Sequence, residues 1–451
     1  MEGDILIKNR TKRLIKDYIK IICLLFIFGS LLKICAYCIP NRLVIDNFVT
    51  SVSQMKAQGE YPVIVTDEFY YELNRFDNYS DMIILNEAIT QESFPILEAV
   101  YGDYVSVLSE DETHSATDNL VGIVDGEIQS YWSYARQWSA SVAIIRILLV
   151  FWNYNQIRVL SHSIMIILLL YVVARLYQEV DMKTAMSYGV AMVLTGADVS
   201  AYSTNLCMAF YIMNIGALLA LKMNKDDDRH KVCLLVAGLT ALFDMFSVPF
   251  VTVGIVVLMR CIDYKNNNRV IKKNIIRLMF DSIMWLMGYL GVWITKWLAA
   301  SIILRKNFFL EAFNESMYQS QQYEVEWGPS TFIGYIGTAI KYTLYNVIPI
   351  NLIKTSNKQG FILGVVLILM LSLLSFCIIK MNKNKEYRMR IISVLPCNLL
   401  MVLFPCLCCI VMRTHAYVHY WMWIRIWFVS IFAGLYIIFD VIMKQKEQEN
   451  T

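Results

Sequence analysis

The sequence has little charge for its length, and its largest hydrophilic segment has no cysteine. Charged residues make up 17% of the 451 positions, the formal net charge is only +3, and 57% of the positions are hydrophobic. Since no basic surface interleaved with aromatic residues is evident, we expect no nucleic-acid partner. Ordinary soluble proteins have about 45–50% apolar residues. The excess predicts a membrane protein whose first partner is the lipid bilayer.

The absence of cysteine from residues 39–155 excludes a disulfide framework there. The eleven cysteines lie mostly in apolar segments, whereas exported proteins place their disulfides in the outer parts of the chain. This distribution favours a bacterial cell membrane. Cys35 and Cys38 form a CxxC without a second pair, and the pair His415 and His419 lacks a ready third ligand. We therefore predict no resident metal site, and a divalent cation is left open as a cofactor.

Apolar runs long enough to cross a bilayer recur along most of the chain. A hydrocarbon core of about 30 Å needs roughly 20 apolar residues per helix. The sequence predicts an all-α polytopic membrane protein with about ten membrane-spanning helices. They are placed near residues 18–38, 156–177, 184–200, 204–222, 231–246, 247–262, 278–301, 361–380, 390–412 and 418–443.

Lysine and arginine concentrate in segments that this count of spans places on one side of the membrane. Positively charged loops usually remain cytoplasmic, so we predict cytoplasmic N- and C-termini. The first span lacks a small-residue cleavage site, which indicates an uncleaved anchor rather than a signal peptide. The basic segments are residues 1–17, 222–231, 260–277, 380–390 and 444–451.

Two segments are predicted to lie on the extracytoplasmic side, residues 39–155 and 302–358. The first is acidic, and its aromatic end at residues 133–153 predicts an interfacial helix with Trp138 at headgroup depth. In the second, polar residues and a proline within residues 330–354 disfavour a span, so we predict another interfacial helix there. The predicted spans between and after them occupy residues 156–301 and 361–443.

Several ionisable residues fall near the outer ends of the predicted spans, where charge is costly and often marks function. A carboxylate can take the proton of an acceptor hydroxyl, while a base neutralises the charge on a departing lipid phosphate. Sugar transfer from a lipid phosphate needs this combination. A continuous helix would place His415 and His419 on one face, with Arg425 deeper. The charged candidates are Arg146, Arg158, Asp198, Asp244, Lys296 and Arg425.

Five short stretches resemble a family of poorly characterised polytopic membrane proteins of Gram-positive bacteria. They are IPNRLVIDNFVTS after the first span, DNYSDMIILN at 77–86, YWSYARQW with the following IIRILL, GLTALFDMFSVPF at 238–250, and THAYVHYWMWIR at 414–425. This family is similar to the C-type (GT-C) glycosyltransferase superfold, in which a first outer loop bears catalytic acids and a polyprenyl phosphate carries the sugar. The resemblance covers most of the chain and implies a GT-C-like fold.

The resemblance implies roles for several acidic residues. Asp77 and Asp81 match the acidic motif, which also contains Asn78, and either is expected to be the general base while the other orients the acceptor. Asp244 matches an aspartate that precedes a proline. Asp46 is a competing base, because C-type enzymes often hold their catalytic acid soon after the first span.

The resemblance also implies a set of residues that bind the donor phosphate. Arg146 matches the loop arginine, and His415, His419 and Arg425 match the last motif. A planar guanidinium binds phosphate through two parallel hydrogen bonds. The chain departs from the family at Ser133, which stands where other members have a histidine, so any role of that histidine is lost or moved.

A membrane glycosyltransferase that moves a sugar from a polyprenyl-phosphate donor to a cell-surface glycan or glycolipid is the leading interpretation. The first alternative is a transporter or flippase of lipid-linked saccharide, but such folds usually have internal repeats, and none is evident here. The second is an envelope polysaccharide polymerase or ligase. Its large functional loop usually comes late in the chain, whereas here it comes first.

Overall fold

The structure is built almost entirely of helices in the part of the chain that it describes. This computed structural model describes residues 2–63, 72–109, 114–222, 228–266, 271–321, 331–347, 397 and 399–449. Strands β1 (Tyr104–Val107) and β2 (Ser130–Ser133) form one small antiparallel sheet. The first helices are α1 (Glu2–Tyr37), α2 (Ile45–Gln58), α3 (Asn78–Thr90), α4 (Ile96–Gly102), α5 (Ala116–Asp125), α6 (Ala140–Leu148), α7 (Tyr154–Glu179), α8 (Met182–Leu194) and α9 (Thr204–Lys222).

The remaining helices carry the second half of the chain. They are α10 (Arg229–Phe243), α11 (Phe250–Asn266), α12 (Ile271–Ile303), α13 (Phe308–Gln321), α14 (Phe332–Tyr345), α15 (Phe404–Val411), α16 (Arg413–Val418), α17 (Tyr420–Trp423) and α18 (Trp427–Glu449). The core is formed where α10 packs against α12, α9 against α11, and α8 against α18. Helix α14 lies within residues 330–354, where the sequence predicts an interfacial helix. Its 14 residues extend only about 21 Å, which is less than the thickness of a bilayer core.

Five helices in the described ranges are long and apolar enough to cross a membrane. Their apolar parts are Asn9–Tyr37, Tyr154–Glu179, Thr204–Lys222, Asn274–Ile303 and Tyr420–Asp440. Each coincides with a span predicted from the sequence. These helices support the class of an all-α, membrane-like protein.

The other predicted spans take different forms. Residues 184–200, 231–246 and 247–262 coincide with the shorter helices α8, α10 and α11, which have 13, 15 and 17 residues. The predicted span 361–380 lies outside the described residues, as does most of the first half of 390–412. The count of about ten spans therefore stays a prediction.

Segments predicted to share the cytoplasmic side lie next to one another. In α1, Arg13 places Nη2 3.0 Å from Oδ1 of Asp228, in the loop before α10. At the start of α8, Lys183 places Nζ 2.9 Å from Oδ1 of Asp440 in α18. Both contacts are compatible with the predicted topology. Which side of the membrane these ends face stays a prediction.

The interfacial helix predicted over residues 133–153 is wrong in its extent and surroundings. Residue 133 ends β2, and α6 has only nine residues, of which six are buried. The Trp138 side chain is buried, and its Nε1 donates to the carbonyl of Val292 at 2.9 Å, in α12. Because α6 packs against α1 and α3, protein rather than lipid covers its apolar residues.

The last predicted span begins with a broken helix. Short helices α16 and α17 and a 3-10 turn at Ile424–Ile426 precede the long α18. His415 lies in α16, and His419 lies at the break between α16 and α17. The two rings do not share a continuous helix, yet their centroids are 4.7 Å apart.

Candidate functional site

A cavity of about 270 Å³ lies where the segment after α1 meets the ends of α9, α12 and α16. It brings together Asp77, His415 and His419, three residues that the sequence assigned to the site. Aromatic rings form much of its wall. The aromatic lining consists of Tyr61, Tyr79, Tyr134, Phe246 and Trp293, and the polar lining includes Ser80, Arg136, Gln137, Asn205, Ser247, Glu315 and Ser316.

Asp77 is held at the N-terminus of α3 with its carboxylate fixed from two sides. Its Oδ1 accepts the backbone N–H of Ser80 at 3.2 Å, an N-cap bond, and caps of this kind satisfy the free N–H groups of a helix start. Its Oδ2 accepts from Nδ2 of Asn205 at 2.7 Å. A carboxylate offers about four acceptor positions, so Asp77 retains lone pairs for a group bound in the cavity.

Asp81 lies one turn further along α3 and is fully buried. Its Oδ1 accepts from the Ser203 hydroxyl and from the backbone N–H of Asn205, each at 3.1 Å. The guanidinium of Arg158 lies 3.4 Å from its Oδ2. Burial raises the pKa of Asp81 to about 6; the Arg158 charge opposes this shift and the Asp77 charge adds to it. Asp81 is therefore placed behind the cavity rather than in its wall.

Asn205 connects the two aspartates and was missed from the sequence. Its backbone N–H donates to Asp81 and its side-chain amide donates to Asp77. It is the second residue of α9, so the start of this helix is bonded directly to the start of α3. No short motif marks an asparagine for this role, because its importance depends on a contact between residues far apart in the chain.

Arg158 and Asn78 support the acidic pair from behind. Arg158 donates from Nη1 to Gln58 at 2.8 Å and from Nη2 to the Asn78 side chain. Asn78 in turn donates to the carbonyl of Gly59 at 2.8 Å. Both candidate residues thus belong to the structure that positions Asp81.

The turn after α10 supports the histidines. Asp244 ends α10 and accepts a hydrogen bond from the Ser247 hydroxyl, while Phe246 adopts a positive φ of 70°. The Phe246 ring lies 5.6 Å from the His415 ring. Burial, followed by the charge of His419, lowers the pKa of His415 well below its usual range. His415 is therefore neutral at pH 7, and Asp244 shapes the loop that contacts it.

Arg146 does not reach the cavity, contrary to the phosphate-binding role that the resemblance implies. Its side chain is fully buried, and Nε donates to the carbonyl of Ala36 at 3.0 Å. Its other nitrogens donate to the carbonyls of Ile39 and Ala88. The last carbonyls of a helix lack hydrogen-bond donors within it. Arg146 supplies a donor to one of these carbonyls at the end of α1. Its exposed neighbour Glu92 lies 3.9 Å away.

Arg425 is also buried away from the cavity wall. It donates to the carbonyl of Trp421 at 2.9 Å and to that of Leu73, between α2 and α3, at 3.1 Å. The negative charges of Asp198 and Asp77 attract its positive charge. Asp244, another of the charged candidates, accepts a hydrogen bond from Ser247.

Asp46 and Lys296 are likewise placed elsewhere. Asp46 is exposed in the first turn of α2 and does not line the cavity. Lys296 is fully buried, with Nζ 2.5 Å from Oδ2 of Asp103. Lys33 of α1 binds the other oxygen of the same carboxylate, so this cluster joins α1 and α12 to the residue that follows α4.

Arg136 is the cationic residue that the structure brings to the cavity wall in place of Arg146. Its guanidinium lies 4.8 Å from the centre of the Tyr134 ring, and 3.6 Å and 3.7 Å from carboxylate oxygens of Glu311 and Glu315 in α13. The sequence placed this arginine within the YWSYARQW stretch but assigned it no role. The aromatic residues next to it in the sequence were the one feature that could have indicated a place in a binding site.

Metal ligands do not cluster in the part of the chain that the structure describes. No group of three His, Cys, Asp or Glu side chains there could hold a metal ion. A divalent cation as cofactor therefore stays an expectation.

Comparisons of the chain with family models, with characterised proteins and with solved structures give no match. The likeness to C-type glycosyltransferases accordingly depends on the five sequence stretches. The functional assignment depends on the geometry of the cavity and on the chemistry of the residues around it.

Proposed function

We propose that the protein is a membrane glycosyltransferase that moves a sugar from a polyprenyl-phosphate donor to a cell-surface glycan or glycolipid. The observation that carries the proposal is the placement of Asp77. Its carboxylate is held by Ser80 and Asn205 at a cavity that also contains two histidines, an arginine and several aromatic rings. The long apolar helices beside this cavity would hold a lipid-linked donor at the membrane.

Asp77 is the general base in this proposal. It accepts the proton of the acceptor hydroxyl as that oxygen attacks the anomeric carbon, and the bond from this carbon to the phosphate oxygen breaks. Asp77 is preferred to Asp81 because it lines the cavity, whereas Asp81 is enclosed by Ser203, Asn205 and Arg158. Asp81 acts as a positioning residue through Asn205.

Arg136 stabilises the leaving phosphate, and His419 donates a hydrogen bond to it. The departing polyprenyl phosphate gains negative charge as the sugar leaves, and a fixed cation lowers the energy of that transition state. In the unliganded arrangement Arg136 is balanced by Glu311 and Glu315. Phosphate would compete with these carboxylates for the guanidinium.

The aromatic wall accounts for binding of saccharides. Small-molecule sites are mostly apolar and aromatic, with a few polar groups that fix orientation. Among the lining rings, Tyr61 and Tyr79 stack with centres 6.1 Å apart, and the centres of Phe246 and Trp293 lie 5.9 Å apart. Such surfaces can pack against the apolar faces of sugar rings, while Gln137 and Ser247 bond hydroxyls.

The test is transfer of labelled sugar from a polyprenyl-phosphate hexose to the cell envelope in membranes that contain single variants. Asp77→Asn keeps the shape of the side chain but removes the base, so transfer should fall by about 10²- to 10⁴-fold at an unchanged protein level. Asp46→Asn tests the competing base and should retain transfer. Full activity of Asp77→Asn, or loss in Asp46→Asn, would refute the assignment.

A further inference from the structure

Helix α13 has several large apolar residues on its exposed side, whereas its acidic residues face the protein. Phe308 and Ala312 are buried, and Glu311 and Glu315 face Arg136. A helix repeats every 3.6 residues, so the exposed apolar residues form one continuous stripe. They are Phe309 (40% exposed), Leu310 (58%), Phe313 (61%) and Met317 (37%).

The stripe follows a candidate membrane span that also has exposed apolar residues. On α12 the side chains of Ile294, Leu298 and Ile302 are exposed, at intervals of four residues. Such a stripe on a spanning helix faces acyl chains. The span ends at Ile303, and α13 begins five residues later at Phe308.

The connection between α12 and α13 is suited to the level of the lipid headgroups. Arg305 and Lys306 are both exposed, and Arg305 adopts a positive φ of 54° that turns the chain at the end of the span. Cations next to a membrane-spanning segment are attracted to lipid phosphates, and long basic side chains reach the interface from helix ends.

We propose that α13 lies in the membrane interface, with Phe309, Leu310, Phe313 and Met317 packed among lipid acyl chains. The occupant of this face is bilayer lipid, because α13 directly follows a candidate membrane span and the connection between them carries exposed basic residues. The opposite face of α13 forms part of the cavity wall through Ala312, Glu315 and Ser316. The width of this single helix therefore separates the cavity from lipid in this proposal. If the proposed function holds, a lipid-carried donor reaches Arg136 beside this helix.

The test uses the purified full-length chain in phosphatidylcholine and phosphatidylglycerol vesicles that contain a phospholipid with a diazirine on its acyl chain. After irradiation, mass spectrometry locates the lipid adducts. We expect adducts within residues 309–317 and on the exposed stripe of α12, but not on the polar face of α2 around Asp46. Adducts on α12 without any on α13 would overturn the proposal.

Two variants of α13 sharpen this test. Phe313→Glu puts a charge in the centre of the stripe, and adducts on α13 should fall about fivefold or more. Asn314→Glu puts the same charge at its polar border and should leave the adducts unchanged. Adducts that appear only when the chain is diluted in lipid would mean that a second copy covers the stripe, which also overturns the proposal. Because no sugar transfer is measured, adducts found in a chain without transferase activity would refute only the proposed function.

Discussion

Asp77 and Asp81 lie one helical turn apart at the start of α3, and their carboxylates differ mainly in access to the cavity. Asp77 uses two hydrogen bonds and still lines the wall. Asp81 is surrounded by protein donors, and burial disfavours its charged form. Residues with the same chemistry in one short motif thus acquire different surroundings, and only Asp77 is placed to act as the base in the proposed function.

Asp81 should make the folded protein less stable as pH rises through about 6. Its pKa is raised from 3.8 to about 6 in the folded protein, so the folded state binds the proton more tightly than the unfolded chain. The resulting stabilisation is fully present below about pH 3.8 and is lost as pH rises through about 6. Between pH 5 and pH 7.5, the loss should be roughly 1 to 2 kcal/mol relative to Asp81→Asn.

Thermal unfolding in detergent, followed by tryptophan fluorescence, measures this difference. The wild-type protein and Asp81→Asn are compared at each pH, so groups common to both, such as His415, cancel. Asp46→Asn, on an exposed helix position, controls for an added surface amide and should show no comparable trend. A difference that is constant with pH, or that grows in favour of wild type as pH rises, would contradict the pKa shift of Asp81.

Among the helices, the contact between α10 and α12 depends on a close approach of their backbones. A Cβ atom added at Gly288 of α12 would lie 2.7 Å from the carbonyl oxygen of Leu234 and 2.9 Å from its Cα. Both atoms belong to the backbone of α10, so a rotamer change cannot relieve the overlap. Small residues at such crossings are typical of helices packed in membranes.

Gly288→Ala should therefore separate α10 from α12 and reduce the free energy of unfolding by about 1–3 kcal/mol. Gly337→Ala is the matched control, because an added Cβ in α14 meets no atom within 4 Å. It should leave stability unchanged or raise it by up to about 1 kcal/mol, since alanine favours a helix. Thermal unfolding of the solubilised variants checks both values. Equal melting temperatures for the two variants would show that the helices have room to adjust.

The long apolar helices were predictable, whereas the irregular parts were not. Residues 204–222 and 278–301 form helices as predicted, because a long apolar run must satisfy its backbone groups internally in lipid. The interfacial helix predicted over residues 133–153 was wrong, because the buried residues of α6 pack against α1 and α3. Composition indicates that such residues avoid water, but does not distinguish lipid from protein as their surroundings.

Across the whole molecule, a buried charge cluster holds the segment after α4 to the long helices α1 and α12. Asp103 follows α4 and binds Lys33 of α1 and Lys296 of α12, and all three side chains are fully buried. Lys33 also donates to the carbonyl of Trp138 at 3.0 Å. Burial, and then the charge of Asp103, raise the pKa of nearby Glu87 well above its usual range. This favours its uncharged form.

Asp103→Asn should destabilise the protein by about 3–5 kcal/mol, because two buried lysines lose their counter-ion. Asparagine tolerates the positive φ of 46° at this position, so backbone strain does not explain a loss. Combining Asp103→Asn with Lys33→Met and Lys296→Met should restore much of the stability. Asp125→Asn, at the exposed end of α5, is the control. Unfolding temperatures that fall additively in the triple variant would rule out coupling through the cluster.

The sequence by itself determined that this is a helical, membrane-like chain and where its long apolar helices lie. Those properties depend on the composition and length of apolar runs, which are local. The placement of Asp77, His415 and His419 around one cavity depends on contacts between distant segments. Only the tertiary structure decided that Arg146 and Arg425 bond backbone carbonyls, that Asn205 joins the two aspartates, and that Arg136 lines the cavity. A buried guanidinium needs acceptors, and which acceptors meet it depends on contacts between segments far apart in the chain.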